Sequence, residues 1–215
     1  MNTLVMVAAS GLAREALVED AVLNDYDRVV VLDDDPRTWG GELAGHPVLG
    51  GVDLVADMGP CRVLVGAGSG RARRAIAGRL AELGVGPDRY ATVRHPSVEL
   101  PSTCSVGSGS ILLAHVTLTA DVHVGRHVVV MPGVTLTHDD VVEDFATLCA
   151  GVSLGGGVRV GEAAYLGMNS SVHEGVVVGR DSTLGMGAVL LYDLPDHETW
   201  VGVPARIHAA ASEGA

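Results

Sequence analysis

The sequence predicts an α/β domain over residues 1–92, followed by an all-β domain over residues 93–215 that is built from a short repeat. Three observations lead to this prediction. An aliphatic residue recurs every six positions in the second half, strand and glycine-turn patterns alternate with helical ones in the first half, and aromatic residues make up only 3% of the chain. A chain of 215 residues is long enough for two such domains, each with its own core.

The repeat runs from Leu100 to Leu190 without a change of frame, with Leu or Val at all sixteen positions six residues apart. Neither a helical period nor the alternation of a half-buried strand predicts this spacing. The fourth residue after each aliphatic is nearly always small or β-branched, which suggests a second inward position with limited room. Because three hexads close a triangular turn, we expect about five turns of a left-handed parallel β-helix. Left-handed crossovers are rare elsewhere and belong to this repeat.

Asp140 interrupts the second inward position of the repeat. A carboxylate inside an aliphatic tube costs several kcal/mol unless it is paired or protonated. We therefore expect either a local bulge at this turn or a functional use of the side chain.

The first half has the layout of a nucleotide-binding βαβ unit. Gly11 and Asp33 stand 22 residues apart, the spacing at which a helix N-terminus binds phosphate and an acid binds ribose. A GxGxxG alignment places Ala8, Ser10 and Ala13 where glycines belong, so a purely structural turn with solvated acids stays open. The predicted elements are a strand over 2–8, a turn at Ala9-Ser10-Gly11, a helix from Leu12 to about Leu23, strands at 28–32 and 62–65, the glycine-rich segment 66–70, and a helix from Arg71 to Leu83.

Composition limits the possible partners. A net charge of −12 without a basic run argues against nucleic-acid and membrane binding, and leaves small molecules or further copies of the chain. All 14 basic residues are arginine, which excludes a Schiff-base mechanism. The three cysteines, Cys61, Cys104 and Cys149, form no CxxC pair, and the N-terminus has neither a basic leader nor a membrane span, so we expect a cytoplasmic protein.

Several short motifs together resemble one family. The chain is similar over nearly its full length to the PglD/NeuD-like sugar acetyltransferases, which include sialic-acid-operon O-acetyltransferases and bacillosamine-pathway N-acetyltransferases. The motifs are Ala9-Ser10-Gly11 with Arg14-Glu15, Leu32-Asp33-Asp34, the segment Gly45 to Gly50, His95-Pro96-Ser97, Thr137-His138-Asp139 and Gly202-Val203-Pro204-Ala205-Arg206.

The resemblance implies a homotrimeric enzyme that uses acetyl-CoA as co-substrate and no metal. It implies that the front domain binds a UDP-linked amino sugar and that acetyl-CoA lies in the groove between neighbouring β-helices. The implied nucleotide-sugar contacts are Ser10, Gly11, Asp33, Asp34, Gly68 and Ser69, and the implied acetyl-CoA contacts are Gly156, Met168, Gly187, Val203, Pro204 and Arg206.

His138 is the candidate general base for acetyl transfer, because it directly precedes an acid, Asp139. Ala120 and Gly156 stand one 18-residue turn before and after it, so we expect open space around the ring and an oxyanion donor near Gly156. His173, followed by Glu174, is the alternative base. We expect His115, His123 and His127 to be surface groups, His95 to lie at the domain junction and His208 in the tail.

Two residues depart from the bacillosamine-pathway pattern, Thr147 in place of a second active-site histidine and Met131 in place of an asparagine. Both are expected to belong to an altered acceptor pocket. The favoured function is N-acetylation of a UDP-linked amino sugar with acetyl-CoA, and O-acetylation of a sugar or other small metabolite is the alternative. The sequence does not separate the two, nor does it name the sugar, the acyl chain or the pathway. Two other interpretations compete with this one. The first is a γ-carbonic-anhydrase-like zinc enzyme with His123, His127 and His138 as ligands, and the second is a non-catalytic family member.

Overall fold

The structure is a computed structural model that describes residues 2–18 and 25–208. The helix expected from Leu12 to about Leu23 is α1, Gly11–Leu17, and the remainder of that expectation from residue 19 onward lies outside the described residues. Among the described residues, no helix is long and apolar enough to cross a bilayer.

The first half forms a five-stranded sheet in the order β3-β4-β2-β1-β5. Its strands pair in parallel, except that β3 and β4 are antiparallel. The continuous apolar runs of β1 and β2 are buried, as expected for strands covered on both faces. The elements are β1 (Thr3–Val7), β2 (Arg28–Leu32), β3 (Glu42–Leu43), β4 (His46–Gly50), β5 (Arg62–Val65) and α2 (Gly70–Glu82), with 3₁₀ turns at Pro36–Thr38, Val52–Asp57 and Pro87–Arg89.

Close packing around α1 explains the residues at the two glycine turns. The Ser10 hydroxyl caps α1 by accepting a hydrogen bond from Ala13 N at 3.1 Å. A side chain at Gly66 would collide with Ala13 and with the Met6 sulfur, so only glycine allows β5 to end this close to the helix.

The chain passes from the sheet to the repeat between Tyr90 and Val93. Ala91 N donates to Val63 O at 2.9 Å, and β6 (Val93–Arg94) already pairs with the repeat. The strands of the repeat form three stacks, which are parallel except that the last strand, β23, pairs antiparallel with β22. The first stack holds β7 (Ser105–Val106), β10 (His123–Val124), β13 (Val141–Val142), β16 (Arg159–Val160) and β19 (Val177–Val178); the second holds β6, β8 (Ile111–Leu112), β11 (Val129–Val130), β14 (Thr147–Leu148), β17 (Tyr165–Leu166), β20 (Thr183–Leu184), β22 (Thr199–Val201) and β23 (Arg206–Ile207); the third holds β9 (Thr117–Leu118), β12 (Thr135–Leu136), β15 (Ser153–Leu154), β18 (Ser171–Val172) and β21 (Val189–Leu190).

The six-residue period is the core of this second half. From Leu112 to Leu190 each aliphatic position of the repeat is at most 5% exposed, and these residues form one continuous cluster. Leu100 is an exception to the prediction because it is 39% exposed. It precedes β7, where the stacked turns begin. Stacked parallel strands of a hexapeptide repeat fit a left-handed β-helix.

The corners of the β-helix share one backbone feature. In each hexad from Gly109 to Gly187, the residue three positions after the aliphatic has a positive φ. Gly adopts this conformation freely and Asn and Asp tolerate it, which explains ten of the fourteen corner residues but not His115, His127, Phe145 and Ala163. The residues are Gly109, His115, Asp121, His127, Gly133, Asp139, Phe145, Gly151, Gly157, Ala163, Asn169, Gly175, Asp181 and Gly187.

A buried arginine joins α2 to the β-helix. Arg73 is 0% exposed, and burial lowers its pKa to about 10. Its guanidinium donates to five backbone carbonyls and one hydroxyl at 2.8 to 3.0 Å. The acceptors are the carbonyls of Ala67, Gly68, His127, Phe145 and Ala146 and the Thr147 hydroxyl.

Two further arginines of α2, Arg71 and Arg74, lie 3.0 and 3.1 Å from the buried Asp181. At Gly70 a side chain would collide with the Phe145 carbonyl, so the helix begins directly against a corner of the repeat. The sheet and the β-helix therefore pack through α2. The boundary between residues 92 and 93 as a division into domains stays a prediction.

Candidate active site

His138 lies on the corner between β12 and β13. Its Nδ1 is 2.8 Å from the Asp139 carboxylate, and both side chains are about two-thirds exposed. The hydrogen bond to Asp139 raises the pKa of His138, and the negative charge of Asp139 adds to the effect. Since Asp139 binds Nδ1, Nε2 is the nitrogen that remains for a proton transfer.

The His138 ring lies directly over Gly156 of the next turn. A methyl group on Gly156 would collide with Cε1 and Nε2 of the ring and come within 3.0 Å of Nδ1. Open space was expected around the ring, and on the side of Gly156 the imidazole instead packs directly against the glycine. The backbone holds the corner in place, because Asp139 N donates to Ala120 O at 3.0 Å and Gly157 N donates to His138 O at 2.8 Å. Gly156 N has no acceptor among the described residues.

The other residues expected to contact acetyl-CoA form a separate group at the end of the β-helix. Gly187 N donates to Met168 O at 2.8 Å, and Ala205 N donates to Val189 O at 2.7 Å, which fixes the loop of Val203 to Arg206 beside them. Met168 is 49% and Val203 is 72% exposed. Met168 stands between the second and third stacks, whereas His138 and Gly156 stand between the third and the first. One chain therefore does not bring the two groups together.

A cavity of about 400 Å³ lies between α1, the turn after β5 and the second stack. It brings together Met131 and Thr147, which were expected in the acceptor pocket, with Gly68 and Ser69, which were expected to contact the nucleotide. Thr147 is already engaged, because its hydroxyl accepts from Arg73 at 2.9 Å and donates to Gly68 O at 3.2 Å. Four further residues complete the lining and were not predicted as site residues: Leu12, Val129, Cys149 and Tyr165.

An 18-residue spacing could have found three of the missed residues, because Val129, Thr147 and Tyr165 are stacked in register and Cys149 follows Met131 by one turn. Burial raises the pKa of the Cys149 thiol. Tyr165 has its pKa raised to about 12 by its hydrogen bond to Cys149. The cavity is therefore lined by neutral groups.

The residues expected to bind the nucleotide meet at the carboxyl ends of β1 and β2. The Asp33 carboxylate accepts from Ala9 N at 2.6 Å and from Asp35 N at 2.7 Å, which places it against the Ser10–Gly11 turn. Asp34 forms an ion pair with Arg79 and accepts from Val52 N at 3.0 Å. The Val52 hydrogen bond and the Arg79 guanidinium lower the pKa of Asp34.

The prediction that His127 is a surface group is wrong. The side chain is 5% exposed, stacked on Phe145 with 5.1 Å between ring centroids and in edge contact with Tyr90 at 4.4 Å. Burial lowers the pKa of His127 to about 4, and Arg126 and Arg73 add to the effect. Phe145 stands one 18-residue turn after His127, so the repeat itself places these two rings together, whereas Tyr90 comes from the segment between α2 and the repeat and could not be found from the hexad pattern.

Three other histidines of the β-helix, His115, His123 and His173, are exposed. His123 Nδ1 lies 2.9 Å from Ser105 Oγ, and His173 contacts the Glu174 carbonyl at 3.1 Å rather than a carboxylate. His123, His127 and His138 do not converge. Within residues 2–18 and 25–208, no group of three or more His, Cys, Asp or Glu side chains is placed to hold a metal.

A β-helix of hexapeptide repeats with a histidine–aspartate pair on a corner defines a hexapeptide-repeat acyltransferase. The family model for the hexapeptide repeat of succinyl-transferase matches residues 157–192. The acetyltransferase domain of PglB from Neisseria gonorrhoeae is 30% identical, with a TM-score of 0.87 over 96% of this chain and 99% of that one. The chain belongs to the PglD/NeuD-like sugar acetyltransferases and is an acyltransferase.

Two further solved structures extend the comparison. PerB from Caulobacter crescentus, in complex with CoA and GDP-perosamine, is 28% identical with a TM-score of 0.87 over 96% of this chain and 97% of that one. WeeI from Acinetobacter baumannii, at 20% identity and a TM-score of 0.69 over 97% of this chain and 100% of that one, shows the shared fold. A search of the curated proteins found no match.

Proposed function

We propose that the protein transfers an acetyl group from acetyl-CoA to the amino group of a UDP-linked amino sugar, with His138 as general base. The observation that carries the proposal is the exposed His138–Asp139 pair whose ring lies over Gly156. The solved relatives support the two substrates, since one PglB domain structure contains acetyl coenzyme A and the PerB structure contains CoA and GDP-perosamine.

In this mechanism the amine attacks the thioester carbonyl while Nε2 of His138 takes the proton that the nitrogen loses. Asp139 holds the ring through Nδ1 and stabilises the imidazolium that forms. The oxyanion of the tetrahedral intermediate accepts a hydrogen bond from Gly156 N, a donor without another acceptor among the described residues. The C–S bond then breaks, and the imidazolium returns the proton to the CoA thiolate.

The front sheet is proposed to be a Rossmann-like domain that binds the nucleotide at the Ser10–Gly11 turn and Asp33. These groups lie at the carboxyl ends of parallel strands, where such sheets bind ligands. Gly68, Ser69, Met131 and Thr147 would then surround the acceptor sugar in the cavity of about 400 Å³.

The proposed assembly is a homotrimer, because one chain keeps the two acetyl-CoA groups on different corners of the β-helix. A neighbouring subunit can place its Met168, Gly187 and 203–206 loop beside the His138 corner. Met168 and Val203 are exposed apolar side chains that such a contact would cover.

The test is thiol release from acetyl-CoA with a panel of UDP- and GDP-linked amino sugars and their hydroxyl counterparts. His138→Ala should lower kcat by about 10²- to 10⁴-fold, the usual contribution of a general base, with little change in KM for acetyl-CoA. His173→Ala is the matched control, because His173 is exposed on the same stack and contacts only a carbonyl. Absence of thiol release with every acceptor, despite acetyl-CoA binding, would exclude the proposal.

A further inference from the structure

Asp140 is a buried carboxylate one residue beyond the proposed catalytic pair. It is 0% exposed and occupies the inward row of the β-helix in which Val122 and Val158 stand one turn before and after it. Both carboxylate oxygens accept backbone hydrogen bonds, Oδ1 from Val158 N at 2.8 Å and Oδ2 from Thr137 N at 2.7 Å. Asp140 thus joins its own corner to the corner of the next turn.

The hydrogen bond from Thr137 N to Asp140 replaces one rung of the ladder, the series of backbone hydrogen bonds that joins successive turns. In this stack the residue after each strand normally donates to the carbonyl one turn later, as Thr119 N does to Leu136 O at 3.2 Å and Gly155 N to Val172 O at 2.9 Å. Thr137 N instead points to Asp140, and Leu154 O accepts from the Thr137 hydroxyl at 3.1 Å.

The strand register shows the same break. Strands β15 and β18 are paired at two positions, whereas β12 and β15 keep only the pair of Thr135 with Ser153. The interrupted position leads directly to His138 and, on the facing turn, to Gly156. The backbone hydrogen bonds between these two turns are therefore interrupted next to His138 and Gly156, where the imidazole packs against the glycine.

Other polar residues in inward positions do not produce this arrangement. Ser110 Oγ accepts from Val128 N of the next turn at 2.9 Å and donates to Gly125 O at 2.8 Å, but it takes no hydrogen bond from its own corner. A hydroxyl is enough to satisfy the N–H of the next turn. The carboxylate of Asp140 has a second oxygen, and this oxygen accepts the hydrogen bond from Thr137 N.

We propose that Asp140 is a positioning residue for His138, because its ionised carboxylate holds Thr137 N out of the ladder and so fixes the corner on which the imidazole lies over Gly156. The inference rests on the proposed role of His138 as base. Burial raises the pKa of Asp140 to about 6, against the hydrogen bonds from Val158 and Thr137. The charged groups that act on it are His138, which lowers its pKa, and Asp139, which raises it.

The test compares Asp140→Ser with Ser110→Ala. Serine at 140 can still accept from Val158 N, as Ser110 does from Val128 N, but it leaves Thr137 N free to return to Leu154 O. We expect kcat to fall about 10- to 100-fold, the range typical of a small misplacement of a catalytic group, while KM for acetyl-CoA changes less than about twofold. The acid limb of the kcat profile should become less steep, because one of the two groups that take up protons there is gone: His138, whose pKa is raised, remains, whereas Asp140, with its pKa of about 6, is lost. Ser110→Ala should keep both kcat and the limb.

A kcat of Asp140→Ser within about twofold of wild type, or an equal loss in Ser110→Ala, would overturn the proposal. Should Asp140→Ser fail to fold, Asp140→Asn replaces it, since the amide keeps the shape but cannot ionise or accept both N–H groups. The same loss of kcat is then expected.

A measurement that needs no turnover separates this inference from the proposed function. In protein carrying ¹³C-labelled histidine, the His138 Cε1–H resonance is identified by its absence in His138→Ala. Its titration should move to lower pH in Asp140→Ser, because a nearby negative charge is lost, and should stay in place in Ser110→Ala. A His138 titration that is unchanged in Asp140→Ser would contradict the Asp140 proposal. A wild-type protein that is inactive with every acceptor would contradict only the proposed reaction.

Discussion

Two histidines of the β-helix lie against a glycine of a neighbouring turn, yet their chemistry is opposite. His138 lies on Gly156 and is exposed, and its hydrogen bond to Asp139 raises its pKa. His127 lies against Gly109 and is buried, and desolvation lowers its pKa to about 4. The repeat supplies a place for an imidazole at both corners. What covers each corner decides whether the ring can exchange protons with a substrate.

The covering of His127 comes from Phe145 on the next turn of the repeat and from residues outside the repeat. Tyr90 and the α2 helix close over that corner, and His127 Nδ1 has no hydrogen-bond partner among the described residues. The nearby Asp144 carboxylate is paired with Arg126 at 2.7 Å. His138, by contrast, has the Asp139 carboxylate to itself at 2.8 Å.

The largest change is expected in kcat, from Gly156→Ala at the His138 corner. The added methyl collides with the His138 ring, which must rotate away from its position. We expect kcat to fall about 100-fold or more in the thiol-release assay, with the melting temperature little changed, because the ring is exposed and free to move. Gly78→Ala is the control, since a side chain there meets nothing within 4 Å. A Gly156→Ala enzyme with wild-type kcat would show that the ring position over Gly156 is unimportant.

A smaller effect, on stability rather than rate, is expected at the second corner from His127→Phe. The folded-state pKa of about 4 lies below the ordinary 6.5, so protonation favours the unfolded chain, and stability is lost as pH falls through that window. The wild type should lose about 3 kcal/mol relative to the phenylalanine variant between pH 7 and 4, measured as the free energy of unfolding in urea. At pH 8 both proteins should retain the same kcat. Parallel stability curves would contradict the burial of a neutral ring.

The smallest effect is expected from Asp139→Asn. Because the Asp139 carboxylate raises the pKa of His138, its removal should shift the acid limb of kcat/KM to lower pH. The plateau at high pH should fall about tenfold or less, since the amide still holds the ring. Asp121→Asn is a matched control, because Asp121 has the same positive φ one turn earlier. If the acid limb of kcat/KM stays at the pH of the wild type, the group that takes up the proton is not His138.

The sequence predicted the parts of the molecule that repeat. The six-residue period located the buried aliphatic rows, and the His138–Asp139 pair followed from adjacency alone. The contact of Tyr90 with His127 and the engagement of Thr147 by Arg73 join residues 37 or more apart along the chain, which no local pattern encodes. The stacking of Phe145 on His127, by contrast, follows the 18-residue turn of the repeat. Asp140 was visible as a break in the inward row, but its two backbone donors required the structure.

Arg73 limits how the chain can be recombined with its relatives. A β-helix beginning at residue 93 would keep the carbonyls of His127, Phe145 and Ala146 but lose the guanidinium that satisfies them. A front half ending at residue 92 would carry that guanidinium without most of its acceptors. A chimaera that exchanges nucleotide specificity should therefore bring in new residues only before α2, and retain the helix with the β-helix on which it folds.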